Sequence, residues 1–381
     1  MKFFKRSAAV AALTFAAVAA AHAEINVGIT LALTGPAASA GLPQKNTVPL
    51  LPAEIAGEKV RYIVLDDGTD PTSAVKNAKK LVFEDKIDLL IGSTATPGTI
   101  AIAGVAQETQ TPHIGLAAFY LPPEQEKWSF QSPWSFQIAA DGVIEHIKAN
   151  GGKTLGFIGF SDSLGEIWLQ AISKAAKQAG ISVTAVERFN RTDTSVLSQT
   201  LKIVGANPDA VVVGATSAAA ALPQVTIVER GYKGPIYHSH ATATPDFIRM
   251  SAKAAEGAVM PAFPIVVAEQ LPDTFLNKAQ AMAFVQAYEG KYGANTRTNF
   301  AAHLWDAVLL LEAAAPSALE KATPGTAEFR AALRDSLEQI KDLPVSNGIV
   351  SMSPTDHNGF NSQARVMVQV KDGTFQIIQG Q

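Results

Sequence analysis

The chain has 381 residues, 47% hydrophobic and 17% charged, with 31 Lys+Arg against 34 Asp+Glu and no cysteine. A net charge of −3 disfavours nucleic acid and anionic membranes as partners, since both reward clustered cations. The lack of cysteine excludes disulfides, thiol nucleophiles and a lipidated cysteine. The length exceeds what one hydrophobic core usually supports, so two lobes are expected.

Residues 1–23 read as a secretory signal peptide. Lys2, Lys5 and Arg6 precede an Ala-rich apolar run, and Ala21-His22-Ala23 supplies a small-x-small cleavage site. The run is short for a membrane span, and no later run of about 18 apolar residues follows it. An exported, periplasmic, soluble protein is expected.

Strands and helices then alternate. INVGITLAL (25–33) reads as a strand, followed by the loop TGPAASAG. VRYIVLDD (60–67) is the next strand, and LDDGTDP is explained as a strand end plus a helix start. Apolar residues Ala74, Val75, Ala78, Leu81 and Val82 recur at helical spacing behind it. DLLIG (88–92) is a short apolar run, as a strand buried on both faces would be. Ser93, Thr94 and Thr96 follow at its carboxyl end, and IAIAGVAQE suits a helix. Ligands of open α/β sheets sit beyond the carboxyl ends of strands, and hydroxyls with free N–H groups at a helix start accept an anion. Ser93 and Thr94 therefore read either as helix caps or as the holder of a small acid. PHIGLA ends at Ala117, Ala118 and Phe119, whose ring could wall the same crevice or belong to the core.

A second series begins near Gly151: TLGFIGFSDS, the amphipathic GEIWLQAISKAAKQAG, ISVTAVERF, a helix over 196–205, DAVVVGATS and GPIYHSHATAT. Repeated βα units imply mostly parallel sheets covered by helices. His238 and His240, two apart on an expected strand, would point the same way, as a metal pair or as a ligand contact by His240; no third metal ligand is nearby. AMAFVQAYEGKYG and FAAHLWDAVLLLEAA are later helices. Asp356-His357-Asn358-Gly359 reads as a turn, and the tail has the alternation and Asp372-Gly373 turn of a hairpin. No phosphate loop and no G-x-S-x-G elbow occurs, so no enzyme signature, metal or cofactor is called for.

The order of these pieces resembles the type I periplasmic solute-binding proteins, the branched-chain amino-acid-binding family that feeds ATP-driven importers. The resemblance rests on GITLALTGPAASAG, LDDGTDPTSAVKNAKKLVFEDKIDLLIGS, PHIGLA, LWDAVLLLEAA and SPTDHNGF, and covers essentially the whole chain beyond residue 23. It implies two doubly wound parallel-sheet lobes joined by a three-crossing hinge, 24–139 plus 268–345 and 140–267 plus 346–381, closing on a small ligand. It also implies a monomer that serves a membrane permease and its ATPase subunits rather than an enzyme.

Carried over position by position, the resemblance assigns the ligand carboxylate to Ser93 and Thr94, with Ser39, Ala40 and Ala117 beside it. The hydroxyl that would meet an ammonium group appears as Phe119, and the acid expected near His240 is missing. Pocket tyrosines appear as Leu164 and as Thr216 or Ser217. The chain thus keeps the acid-binding half of the site and loses the amine-binding half, since a buried ammonium without a partner costs several kcal/mol or more. An aromatic carboxylate is the expected ligand. An amino acid, or the same fold used as a sensor, stays open at this point.

Overall fold

Six strands make the first sheet of the computed structural model, which describes residues 24–378; the expected signal peptide lies outside the described residues. They are β1 (Ile25–Leu31), β2 (Glu54–Ile55), β3 (Glu58–Asp66), β4 (Leu89–Gly92), β5 (His113–Gly115) and β6 (Ser129–Gln131), in the order β2-β3-β1-β4-β5-β6. All neighbours are parallel except the β2–β3 pair. β1 and β4 are almost wholly buried because helices cover both faces. Helices Pro71–Phe83 and Thr96–Thr109 bring Ala74, Ala78, Leu81, Ile102 and Val105 to one face. Helices Asn299–Leu319 and Ala327–Leu337 pack Leu304, Val308, Leu311, Phe329 and Leu333 on the other.

The second sheet holds β7 (Thr154–Phe160), β8 (Ser182–Phe189), β9 (Ala210–Gly214), β10 (Ile236–His238) and β11 (Val259–Ala262), all parallel. After a separate ribbon of β12 (Leu343–Val345) and β13 (Gly348–Val350), the chain adds β14 (Val366–Lys371) and β15 (Thr374–Ile377) as an antiparallel edge, giving the order β15-β14-β11-β10-β9-β7-β8. The expected tail hairpin is present. Asp372 and Gly373 turn it with φ of 52° and 70°, as a tight two-residue loop requires.

The chain passes between the two cores three times. It leaves β6 and enters helix Phe136–Ala149, part of the second core. It leaves β11 through a 3₁₀ segment, Pro264–Gln270, and reaches the first core in helix Asn299–Leu319. It returns after β13 to reach β14.

Two local expectations change. The helix behind β4 starts at Thr96, four residues earlier than its apolar period, because Pro97 suits a first turn. The strand over 234–244 ends at His238: Ser239 Oγ and Thr242 Oγ1 both donate to Ala215 O, at 2.7 and 3.1 Å, and pull the chain into a 3₁₀ turn, His240–Thr242. His238 and His240 therefore do not share a side. His238 Nε2 reaches Gln224 Oε1 at 2.7 Å and its ring lies by Phe247, whereas the His240 ring lies by Trp134.

Candidate functional site

Strand order reverses between β1 and β4 in one sheet and between β7 and β9 in the other, and such reversals open a crevice at the carboxyl ends. Residues from the two ends meet: Ala40 follows β1, Ala241 follows β10, and both pack with Phe300 at the head of helix Asn299–Leu319.

In the first wall, two consecutive acids organise the strand ends. Burial would raise Asp66, yet bonds from Gly68 N, Thr34 Oγ1, Leu33 N and Thr34 N outweigh it and hold its carboxyl below the usual value. Asp67 is buried and raised by that burial, despite bonds from Ser93 Oγ at 2.7 Å, Thr69 N at 3.0 Å and Thr30 Oγ1 at 3.2 Å. Thr94 Oγ1 accepts from Ala32 N at 3.0 Å and donates to Gln44 Oε1 at 2.5 Å. The hydroxyl hydrogens of Ser93 and Thr94 are thus engaged within the wall, tying β4 to β1 and β3. Thr96 Oγ1 likewise donates to Ala118 O.

What this wall leaves open is backbone. Helix Thr96–Thr109 follows Ala95, which has no capping side chain, and its first internal bond runs from Thr99 N to Ala95 O. Pro97 carries no N–H, so the amides of Thr96 and Gly98 are the unpaired donors of the first turn. A Cβ on Gly98 would come 2.7 Å from Ser93 Oγ, so only glycine lets the helix start lie against Ser93. Ala117 is half-buried in the loop after β5. The Phe119 ring lies apart from the aromatic cluster described below: it folds back over Gly115 and packs with Ala103 and Leu121. Ser39 is half-buried in the first turn of helix Ala38–Thr47, beside buried Ala40.

The second wall differs in one decisive respect. Helix Ser163–Ala179 is already capped by Asp162, which accepts from Leu164 N and Gly165 N at 3.0 and 3.3 Å. Asp162 also takes Arg191 Nε at 2.6 Å. This helix start already holds an anion; the one in the first wall does not. Leu164 is buried next to it. Thr216 is half-buried; Ser217 is buried with φ of 46°, its hydroxyl 3.2 Å from Thr244 Oγ1.

Between the walls, where the chain crosses, lies a cluster of buried aromatic rings. The His240 ring lies 4.6 Å from Trp134, 5.3 Å from Phe136 and 5.4 Å from Phe263, centroid to centroid. Phe263 in turn lies 4.8 Å from His303. Burial, with the other histidine a lesser cause, pushes His240 down to about 3, and burial pushes His303 to about 3, so both are neutral.

Trp134 Nε1, His240 Nδ1 and His303 Nε2 of this cluster are buried without a partner, as are Gln44 Nε2, Ser163 Oγ and both ends of the Asn299 amide. Each such atom costs about 1–3 kcal/mol if left dry, so a cluster of them marks a place for guest atoms. Trp134, Phe136, Phe263, Asn299, His303 and Gln44 escaped the reading of the sequence. FAAHLWDAV reads as an ordinary packing helix, and nothing local marks 132–136 as a crossing. Among the described residues, no group of three His, Cys, Asp or Glu could hold a metal ion.

Two parallel-dominated sheets with their switch points across a shared cleft define the type I periplasmic binding fold. Residues 24–374 match the family model described as periplasmic binding protein, and the chain belongs to that family. It is similar to an extracellular ligand-binding receptor from Rhodopseudomonas palustris HaA2, with 46% identity, 93% of this chain and 100% of that chain covered, and a TM-score of 0.92. A second receptor from that strain is 41% identical over 93% and 100%, with a TM-score of 0.90. A substrate-binding protein of a branched-chain amino acid transporter from Streptococcus pneumoniae, solved with isoleucine, shares the fold at 19% identity, over 93% and 99%, with a TM-score of 0.78. No curated protein matches. Among the described residues, no helix is long and apolar enough to cross a membrane.

Proposed function

We propose that the chain is the substrate-binding component of an ATP-driven importer, which captures a small aromatic carboxylate in the interlobe cleft and performs no chemistry on it. One observation carries this reading: an uncapped helix start lies at the strand ends of the first sheet, and buried aromatic rings with unpaired polar atoms lie where the chain crosses to the second. The carboxylate lies on the amides of Thr96 and Gly98, where the helix dipole favours an anion. The ring lies among Trp134, Phe136, Phe263 and His240, contacts worth about 0.5–1.5 kcal/mol each beyond area burial. An ammonium group is disfavoured, since Asp66, Asp67 and Asp162 each already accept at least three donors of the fold.

The lobes, 24–139 with 268–345 and 140–267 with 346–381, swing apart to admit the ligand and close over it. The closed outer surface is what the permease and its ATPase subunits recognise. Residues 1–23 direct export and are removed, leaving a periplasmic monomer.

The test is a thermal-shift screen of ligand-stripped protein against aromatic carboxylates, aryl keto acids, aliphatic acids and branched-chain amino acids. A ligand at a hundred times its Kd adds about 2.7 kcal/mol, which raises Tm by roughly 5 °C or more. A shift with aromatic acids supports the proposal. A shift with leucine or valine, and none with aromatic acids, overturns the ligand class.

A further inference from the structure

The aromatic cluster at the crossings carries unpaired hydrogen-bonding atoms of both kinds. His303 Nδ1 lies 3.2 Å from Leu116 O. A carbonyl only accepts, so Nδ1 carries the proton and Nε2 of the neutral ring is a bare acceptor. That Nε2 is buried and unpartnered, and His303 is 2% exposed. Trp134 Nε1, which can only donate, is buried without a partner as well. His240, 3% exposed, has an unpaired buried Nδ1. The Phe263 ring touches all three, with centroids 4.3 Å from Trp134, 5.4 Å from His240 and 4.8 Å from His303.

A donor and an acceptor around one aromatic wall specify the group they await. A second carboxylate only accepts, and would set its lone pairs against His303 Nε2. An ammonium only donates, and would find Trp134 Nε1 pointing a hydrogen at it. A hydroxyl does both without charge, and Asp306, the buried acid three residues after His303 on the same helix, is engaged by Ser346 and Asn347.

We infer that the ligand carries a hydroxyl group at the end opposite its carboxylate, donating to His303 Nε2 and accepting from Trp134 Nε1 or His240. The bound acid is then a hydroxylated aromatic acid. The inference rests on the reading of the cleft as an aromatic-acid site.

Isothermal titration of benzoate against 4-hydroxybenzoate, and of cinnamate against 4-hydroxycinnamate, tests it on the wild type, His303→Asn and His240→Phe. His303→Asn keeps an N–H near the position of Nδ1 and removes the Nε2 acceptor. In the wild type the hydroxylated member binds at least about tenfold more tightly in one or both pairs, and His303→Asn abolishes that preference. Equal wild-type affinity for both members of each pair overturns the inference while leaving the acid site standing, and means that a bound water satisfies the pole. An unaltered preference in both variants overturns it too. If no aromatic acid binds the wild type, the reading of the cleft itself fails. Should a variant not fold by circular dichroism, the wild-type pairs decide alone.

Discussion

Ser93 separates a wall residue from a ligand contact, and Ser93→Ala tests which it is. The hydroxyl donates to Asp67 Oδ2 at 2.7 Å, one of three donors to a buried carboxylate. A hydrogen bond to a charged group is worth roughly 1.5–3 kcal/mol, so Ser93→Ala should destabilise by about 2 kcal/mol. For a protein built of lobes this size, that lowers Tm by about 4–8 °C. Because the hydrogen is engaged with Asp67, affinity for the acid should fall by less than about fivefold, under 1 kcal/mol. The deficit also has a pH signature. Burial holds the folded Asp67 above its ordinary 3.8; the ionised form is what needs the serine, and lowering pH through the raised folded value protonates it. The Tm gap between variant and wild type should therefore narrow on acidification. Scanning calorimetry at neutral and acid pH, with titration of the acid, reads both effects. An unchanged Tm with a hundredfold loss of affinity would refute this placement and return Ser93 to the ligand.

Two further outcomes are expected. His238, His240 and His303 are each depressed to about 3, chiefly by burial, below their unfolded value near 6.5. They stay neutral in the native state, so ligand Kd should be flat from pH 5.5 to 8, while stability through these groups declines as pH falls below about 6.5; a titration step in Kd near 6.5 would contradict their burial. Asp306 accepts from Ser346 N, Asn347 N and Asn347 Nδ2 and pins the turn between β12 and β13. Asp306→Asn sets an N–H against those donors and should cost about 1–3 kcal/mol, read as a lower urea midpoint at constant m. Burial raises Asp306 to about 7 from 3.8, so wild-type stability falls through this group as pH rises across that interval, and the variant should lose that slope.

The alternation of apolar strands and helical periods was enough to read two parallel-sheet cores, the tail hairpin and the crevice at strand ends, because burial on both faces leaves a local mark in each segment. Ser39 and Ala40 follow β1, Ser93 and Thr94 follow β4, Leu164 follows β7, Thr216 and Ser217 follow β9 and His240 follows β10, each beyond the carboxyl end of a strand. The alternation could not say which hydroxyls are free. Ser93 and Thr94 look like ligand donors until Asp67 and Gln44, residues 26 and 50 positions away, are found to engage them. Phe119 looks like a pocket wall until Gly115 is seen to make room for its ring. The aromatic cluster itself comes from Trp134, His240, Phe263 and His303, drawn from crossings and strand ends far apart in the chain, each unremarkable alone. Local patterning records what a segment buries; which polar atoms remain unpaired depends on partners that only the folded chain brings within reach.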